Sequence, residues 1–114
     1  MRGELLLNVK DKTTTQRGAT YDIGYGYPIN TIILRSVVNV DSVSGGNVVV
    51  SVQDSLDGVL WRTLYSFPAK DTAGEYTEHY TPSKDGLVVM PRVRGVATVT
   101  GTIQFDVKLR ILFV

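Results

Sequence analysis

The segment Ile103–Ile111, with the sequence IQFDVKLRI, decides the fold. Its odd-numbered positions are all apolar, and its even-numbered positions are Gln, Asp, Lys and Arg. Because successive side chains of a β-strand point to opposite faces, this pattern predicts a strand with one face in a core and the other in water. Val48–Gln53 alternates in the same way. In Ile32–Val40 the second face is partly apolar, which predicts a strand that is covered on both sides.

The composition of the whole chain agrees with these strands. Of the 114 residues, 45 are Val, Thr, Ile, Tyr, Phe or Trp, whereas Ala occurs four times and Glu three times. β-Branched and aromatic side chains pack well on a pleated sheet and lose rotamer freedom in a helix. The chain is therefore expected to be all-β, and its length suits a single domain over residues 1–114.

Glycine-containing turn signals separate the predicted strands. Ser44–Asn47 (SGGN) predicts a hairpin loop, and Asp57-Gly58 is the strongest turn dipeptide of the chain. The strands are expected near residues 4–9, 19–23, 30–40, 47–54, 60–67, 75–81, 86–94, 96–100 and 102–113. Eight or nine short strands with closely spaced turns predict an antiparallel β-sandwich, jelly-roll-like or Greek-key.

Charge and residue usage exclude several classes of protein. With no Cys, a disulfide scaffold, a zinc ribbon and a cysteine nucleophile are all excluded. Twelve Lys and Arg against eleven Asp and Glu argue against a nucleic-acid partner or a membrane partner, since such proteins usually carry a large basic excess. Only Leu5–Leu7 is apolar near the N-terminus, which is too short for a signal peptide, so we expect a protein assembled in the cytoplasm.

The search for chemistry yields no catalytic set, so we expect neither an enzyme nor a bound cofactor. His79 is the only His, and a half-exposed strand residue is its simplest interpretation. Asp54 and Asp57 offer carboxylates to Ca²⁺, yet Asp in a turn usually bonds to its own backbone. Arg92 and Arg94 share one strand face, which also suits an ordinary solvated strand.

Two apolar features suggest assembly instead. The chain closes on Ile111, Leu112, Phe113 and Val114, although a free end is normally polar. These residues either complete the protein's own core or form a subunit interface. Tyr25 and Tyr27 lie in a glycine-rich stretch, and Tyr is enriched at interfaces. We therefore predict an interface at these Tyr residues and at the C-terminus.

One constellation carries a family resemblance. Between two predicted strands lie Ser55, Asp57, Gly58 and Trp61, spaced as Ser-x-Asp-Gly-x-x-Trp. Ser and Asp side chains can hold such a turn by bonding its backbone, and Gly tolerates a positive φ. Together with the Arg-bearing segment Val89–Thr102 and the final strand, this hairpin resembles small bacteriophage virion proteins over roughly residues 47–113.

The resemblance implies a structural role as a capsid decoration, head-completion, neck or tail component that works in a virion as an oligomer with itself or other virion proteins. It supplies no catalytic residues. The same hairpin also resembles discoidin-like and other carbohydrate-binding sandwiches. The alternative is therefore a monomeric module whose loop aromatics, such as Tyr25, Tyr27, Tyr65 or Tyr80, stack on sugar rings.

Overall fold

The computed structural model describes residues 2–24, 32–82 and 89–113, and within them it contains seven β-strands. They are, in chain order, β1 (Arg2–Lys12), β2 (Gln16–Arg17), β3 (Tyr21–Asp22), β4 (Ile32–Ser55), β5 (Arg62–Ser66), β6 (Gly74–Tyr80) and β7 (Arg92–Phe113). All pairings are antiparallel and the sheet is open, not a barrel. The expectation of an all-β antiparallel protein is thus confirmed. No helix among the described residues is long and apolar enough to cross a membrane.

The long strands β4 and β7 form a ribbon at the centre of the sheet. Their register runs from Ile32 opposite Phe113 to Ser55 opposite Arg92. Near the Ile32 end the ribbon is flanked by β6 along β4 and by β1 along β7. Near the Ser55 end it is flanked by β5 along β4 and by β2 and β3 along β7. We call these two parts the β1/β6 half and the β3/β5 half.

The predicted hairpin loop at Ser44–Asn47 was wrong, and this reduces the number of strands. The ladder continues through these residues, from Ser44 opposite Thr102 to Asn47 opposite Thr100, with a register shift between Ser44 and Gly45. Two predicted strands therefore merge into β4. In the same way the predicted strands over residues 96–100 and 102–113, and residues 92–94 of the predicted strand 86–94, merge into β7. A neighbouring strand that supplies hydrogen bonds on both sides of the glycines lets the chain continue in β-structure.

The core lies along one face of this ribbon. Alternate residues of β4 and β7 are buried, and Phe105, Leu34, Leu109 and Val52 are fully enclosed. A Cβ atom on Gly95 would lie 2.7 Å from Leu109 Cδ2, although a straight strand would separate these residues by about 45 Å. Strand β7 therefore bends strongly between Gly95 and Leu109, which brings these two residues together.

Contacts between the edge strands support the same bend. The Tyr65 ring of β5 stacks on the Tyr80 ring of β6, with centroids 3.8 Å apart and an angle of 7° between planes. Nearby, Lys70 forms an ion pair with Glu78 of β6. Lys70 belongs to the β3/β5 half because its backbone pairs with that of Val48. These contacts link residues that are distant along the sheet.

Candidate functional site

The turn between β4 and β5 is closed by side chains. The carboxylate oxygen Oδ1 of Asp57 accepts hydrogen bonds from the backbone N–H groups of Val59 (2.8 Å) and Leu60 (3.0 Å). The Ser55 hydroxyl donates to the same oxygen (3.1 Å) and accepts from the N–H of Gly58 (2.9 Å). Gly58 has a φ of +80°, which residues with a Cβ rarely adopt. The sequence pattern predicts these bonds, and together they give the turn a defined shape.

Three large apolar side chains project from this turn into solvent. Leu56 is 58% exposed, Val59 76% and Leu60 79%. The hydrogen bonds from the backbone amides of Val59 and Leu60 to Asp57 fix the backbone of the turn and therefore the direction in which each side chain leaves it. We call Leu56, Val59 and Leu60 the apolar tip. Contiguous exposed apolar groups on a soluble protein usually mark a contact site.

A buried carboxylate anchors the base of the turn. Asp54 is fully buried, and its two oxygens accept from Arg62 Nε (2.9 Å) and Arg62 Nη2 (2.7 Å). Oxygen Oδ2 also accepts from the backbone N–H of Met90 at 2.9 Å. This bidentate pair ties the last residues of β4 to the first of β5 and to the segment that precedes β7. The hydrogen bond with Asp54 raises the pKa of Arg62, so the guanidinium stays charged.

Two arginines of β7 complete the surroundings of the tip. Arg92 donates from Nη1 to the carbonyl oxygen of Leu56 at 2.5 Å. The Arg94 guanidinium lies 4.1 Å from the centroid of the Trp61 ring, and its Nε donates to Gln53 Oε1 at 2.7 Å. A cation over a Trp face is a favourable arrangement. We call Arg62, Arg92 and Arg94 the arginine collar.

The charges at this end of the molecule are uneven. Burial, and then the charge of Arg17, lower the pKa of Arg94 from its usual value. The hydrogen bonds from the amides of Val59 and Leu60 lower the pKa of Asp57 below its usual 3.8. Asp54 and Asp57 both have their carboxylates engaged within the turn and its base. Asp57 is nevertheless exposed, so the accessible surface combines the apolar tip, the Asp57 carboxylate and exposed or half-exposed guanidinium groups.

The predicted interface residues fall into three groups. Tyr25, Tyr27 and Val114 lie outside the described residues. Ile111 and Phe113 are buried in the chain's own core, at 0% and 6% exposure, so their side chains offer almost no area to a partner. Leu112 is half-buried. Of the hairpin residues, Ser55, Asp57 and Gly58 shape the turn, and Trp61 packs under Arg94.

The apolar tip itself was missed by the interpretation of the sequence. The signal was present, because Leu56, Val59 and Leu60 surround the turn dipeptide Asp57-Gly58, where polar residues are usual. The turn-forming Ser and Asp explain the backbone of the turn but not the presence of these three side chains. An apolar residue placed inside a strong turn signal has no strand face on which to be buried.

The geometry gives limited support to a metal site or a sugar-binding site. Asp54 and Asp57, the calcium candidates, direct their oxygens to Arg62 and to turn amides, so they do not form a shared site. Another group of acids lies elsewhere: single carboxylate oxygens of Asp11, Asp41 and Asp106 are within 4.8 Å of one another. Tyr65 and Tyr80 stack on each other, which occupies one ring face of each.

No family model matches this chain, and comparisons with curated proteins and with solved structures found no match. What the protein does therefore has to be inferred from its own residues.

Proposed function

We propose that this protein is a non-enzymatic structural subunit of a phage-type virion, which docks onto a capsid or tail lattice through the apolar tip. The observation that carries the proposal is the exposure of Leu56, Val59 and Leu60 on a turn held by four side-chain hydrogen bonds. A turn that served only to connect two strands would have no use for three exposed apolar residues. The resemblance of the hairpin to virion proteins supports the same role.

We also infer that the bent sheet is a β-sandwich of the jelly-roll-like or Greek-key kind. The approach of Gly95 to Leu109 supports two layers, as does the Tyr65–Tyr80 stack between β5 and β6. A sandwich suits a virion subunit because its stability comes from its own core. Loops such as the turn between β4 and β5 are then free to carry contacts.

The size of the apolar tip suits docking in many copies. Full burial of three Val or Leu side chains contributes roughly 5 kcal/mol to binding. The entropy lost when two molecules associate must be subtracted from this value. One copy alone would then bind weakly. On a lattice, linked copies bind together and their affinities reinforce each other. The arginine collar adds a charged rim, which favours a partner with an apolar socket edged by Asp and Glu.

The test uses purified particles of the virus whose genome encodes this chain, grown in its host. Mass spectrometry of purified particles should detect the chain, and the L56S/V59S/L60S variant should be lost from the particles. The matched control L56M/V59I/L60M, which keeps the tip apolar, should be incorporated like the wild type. Thermal unfolding should show that all three proteins are equally folded. Absence of the wild-type chain from the particles, or full incorporation of the serine variant, would overturn the proposal.

A further inference from the structure

The sheet of the β1/β6 half has a second face, turned away from the core, which we call the outer face. In β4, buried residues that face the core alternate with residues that point to the outer face. Of the latter, Arg35 is exposed, and Ile33, Val37 and Asn39 are half-buried. The backbone register fixes which residues of the flanking strands lie beside them. The outer face thus spans four strands, in the order β6, β4, β7 and β1.

One row of the outer face is basic. Arg35 of β4 lies directly opposite Arg110 of β7, and on its other side it lies opposite His79 of β6. Arg35, Arg110 and His79 are all exposed. Like charges directly opposite each other destabilise a sheet. The ion pairs seen among the described residues involve neither Arg35 nor Arg110.

A row four residues farther along β4 is acidic. Asn39 lies opposite Asp106 of β7 and Glu75 of β6. Asp106 also accepts a hydrogen bond from the N–H of Asp11 at 2.7 Å. The basic and acidic rows are separated by about 13 Å along the strands. Between them lies a row in which Val37 is opposite the exposed Lys108 of β7, and both residues line a depression of about 340 Å³ together with Asn8 and Glu75 among others.

We propose that a second copy of this chain docks on the outer face, with its strands antiparallel to those of the first. The two-fold axis then crosses the strands at Val37. Such a rotation exchanges the two rows, so Arg110 of each copy faces Asp106 of the other, and His79 faces Glu75. Val37 and the exposed Lys108 opposite it both lie on the axis, so each faces its counterpart across the depression, and the like charges of the two Lys108 residues oppose the contact. A parallel arrangement would instead place the basic rows against each other.

The size of the outer face sets the expected strength of this contact. Four strands about 4.8 Å apart and seven residues at about 3.3 Å give a footprint of roughly 20 by 23 Å. About 900 Å² would be buried in total, which is below the standard size of a stable interface. The dimer is therefore expected to be weak and salt-dependent. It leaves both apolar tips free, so it does not rest on the proposed docking of the tip.

Sedimentation velocity at several protein concentrations tests the proposal. The wild-type chain should form dimers as its concentration approaches about 500 µM in low salt, with fewer in high salt. The variants R110E and D106K should each weaken dimerisation at least about tenfold. D106N is the control for Asp106, because its amide oxygen can still accept the hydrogen bond from Asp11. It should weaken dimerisation less than D106K.

The decisive measurement mixes the two charge variants. In an antiparallel pair, R110E and D106K complement each other at both contacts, so their mixture should form a heterodimer although each alone is monomeric. The double variant R110E/D106K should again form homodimers. A wild-type chain that stays monomeric throughout, or a mixture that associates no better than its components, would overturn the inference. Virion incorporation of the tip variants is measured separately, so failure of one proposal leaves the other intact.

Discussion

Two glycine-containing segments, one within β4 and one at its C-terminal end, look alike in sequence and behave differently in the structure. At Ser44–Asn47 the chain remains in the ladder with β7 and bends, whereas at Ser55–Gly58 it leaves the sheet and reverses. The bend is shaped by a second strand, because the backbone around Thr102 closely approaches Gly46. The turn is shaped by its own Ser and Asp side chains. Glycines in the sequence thus mark where the backbone departs from regular strand geometry. The groups that contact this backbone determine whether the chain bends within the sheet or leaves it.

The largest loss of stability is expected from a substitution at the bend, where β4 and β7 are in close contact. A Cβ atom on Gly46 would lie 2.6 Å from Thr102 N and 2.7 Å from the backbone oxygens of Thr100 and Thr102. Backbone cannot move aside as a flexible side chain does. Gly46→Ala should therefore lower the free energy of unfolding by about 3 kcal/mol, measured by chemical denaturation.

The neighbouring glycine supplies the control for this prediction. Gly45 has a φ of +69°, but no heavy atom lies within 4 Å of the position of an added Cβ. Gly45→Ala should cost only the strain of the left-handed conformation, about 1 kcal/mol. Equal losses for the two variants would show that conformational strain, not the approach of β7, determines the bend.

At the turn, the largest loss of stability is expected from removing the ion pair between the buried Asp54 and the partly exposed Arg62. Arg62→Met leaves the fully buried carboxylate of Asp54 with the Met90 amide as its remaining partner in the described structure. The free energy of unfolding should fall by about 2 kcal/mol, because an unpaired buried charge is unfavourable. Adding Asp54→Asn removes that charge, so the double variant should be more stable than Arg62→Met alone. If the two changes are simply additive, the pair does not anchor the turn.

The two segments also show how far the sequence alone could go. The alternation in Ile103–Ile111 predicted the β7 core face, and Ser55 and Asp57 were singled out because the bonds of a turn are local. The bend at Ser44–Asn47 was missed because it depends on Thr100 and Thr102, about 55 residues later in the chain. The charged rows of the outer face depend on register between three strands, which alternation within a single strand does not reveal.

A smaller effect is expected from the glycine of the turn. Gly58 has a φ of +80°, and an added Cβ would lie 3.3 Å from Arg92 Cδ, the middle of a flexible side chain. Gly58→Ala should therefore lower the free energy of unfolding by about 1 kcal/mol, well below the effect of Gly46→Ala. Gly58→Asn should lose less, since Asn tolerates a positive φ. A loss as large as that of Gly46→Ala would remove the distinction between turn and bend.

The smallest predicted effect is a dependence of protein stability on pH, which arises at the turn and not at the bend. The amides of Val59 and Leu60 lower the pKa of Asp57 in the folded protein below its usual 3.8. A carboxylate with a lowered folded pKa stabilises the protein at pH values above the unfolded pKa. This stabilisation is lost as the pH falls through the folded pKa, because the protonated group accepts those hydrogen bonds less well.

Thermal unfolding of the wild type and Asp57→Asn, measured from neutral pH down to about pH 3, tests this dependence. The wild type should be the more stable at neutral pH, and the difference between the two melting temperatures should shrink as the pH falls. Leu60→Ser provides the comparison, because it changes the same turn without changing a charge, and its difference from the wild type should stay constant. A constant difference for Asp57→Asn would mean that the turn owes its shape to Ser55 and Gly58 and not to the carboxylate.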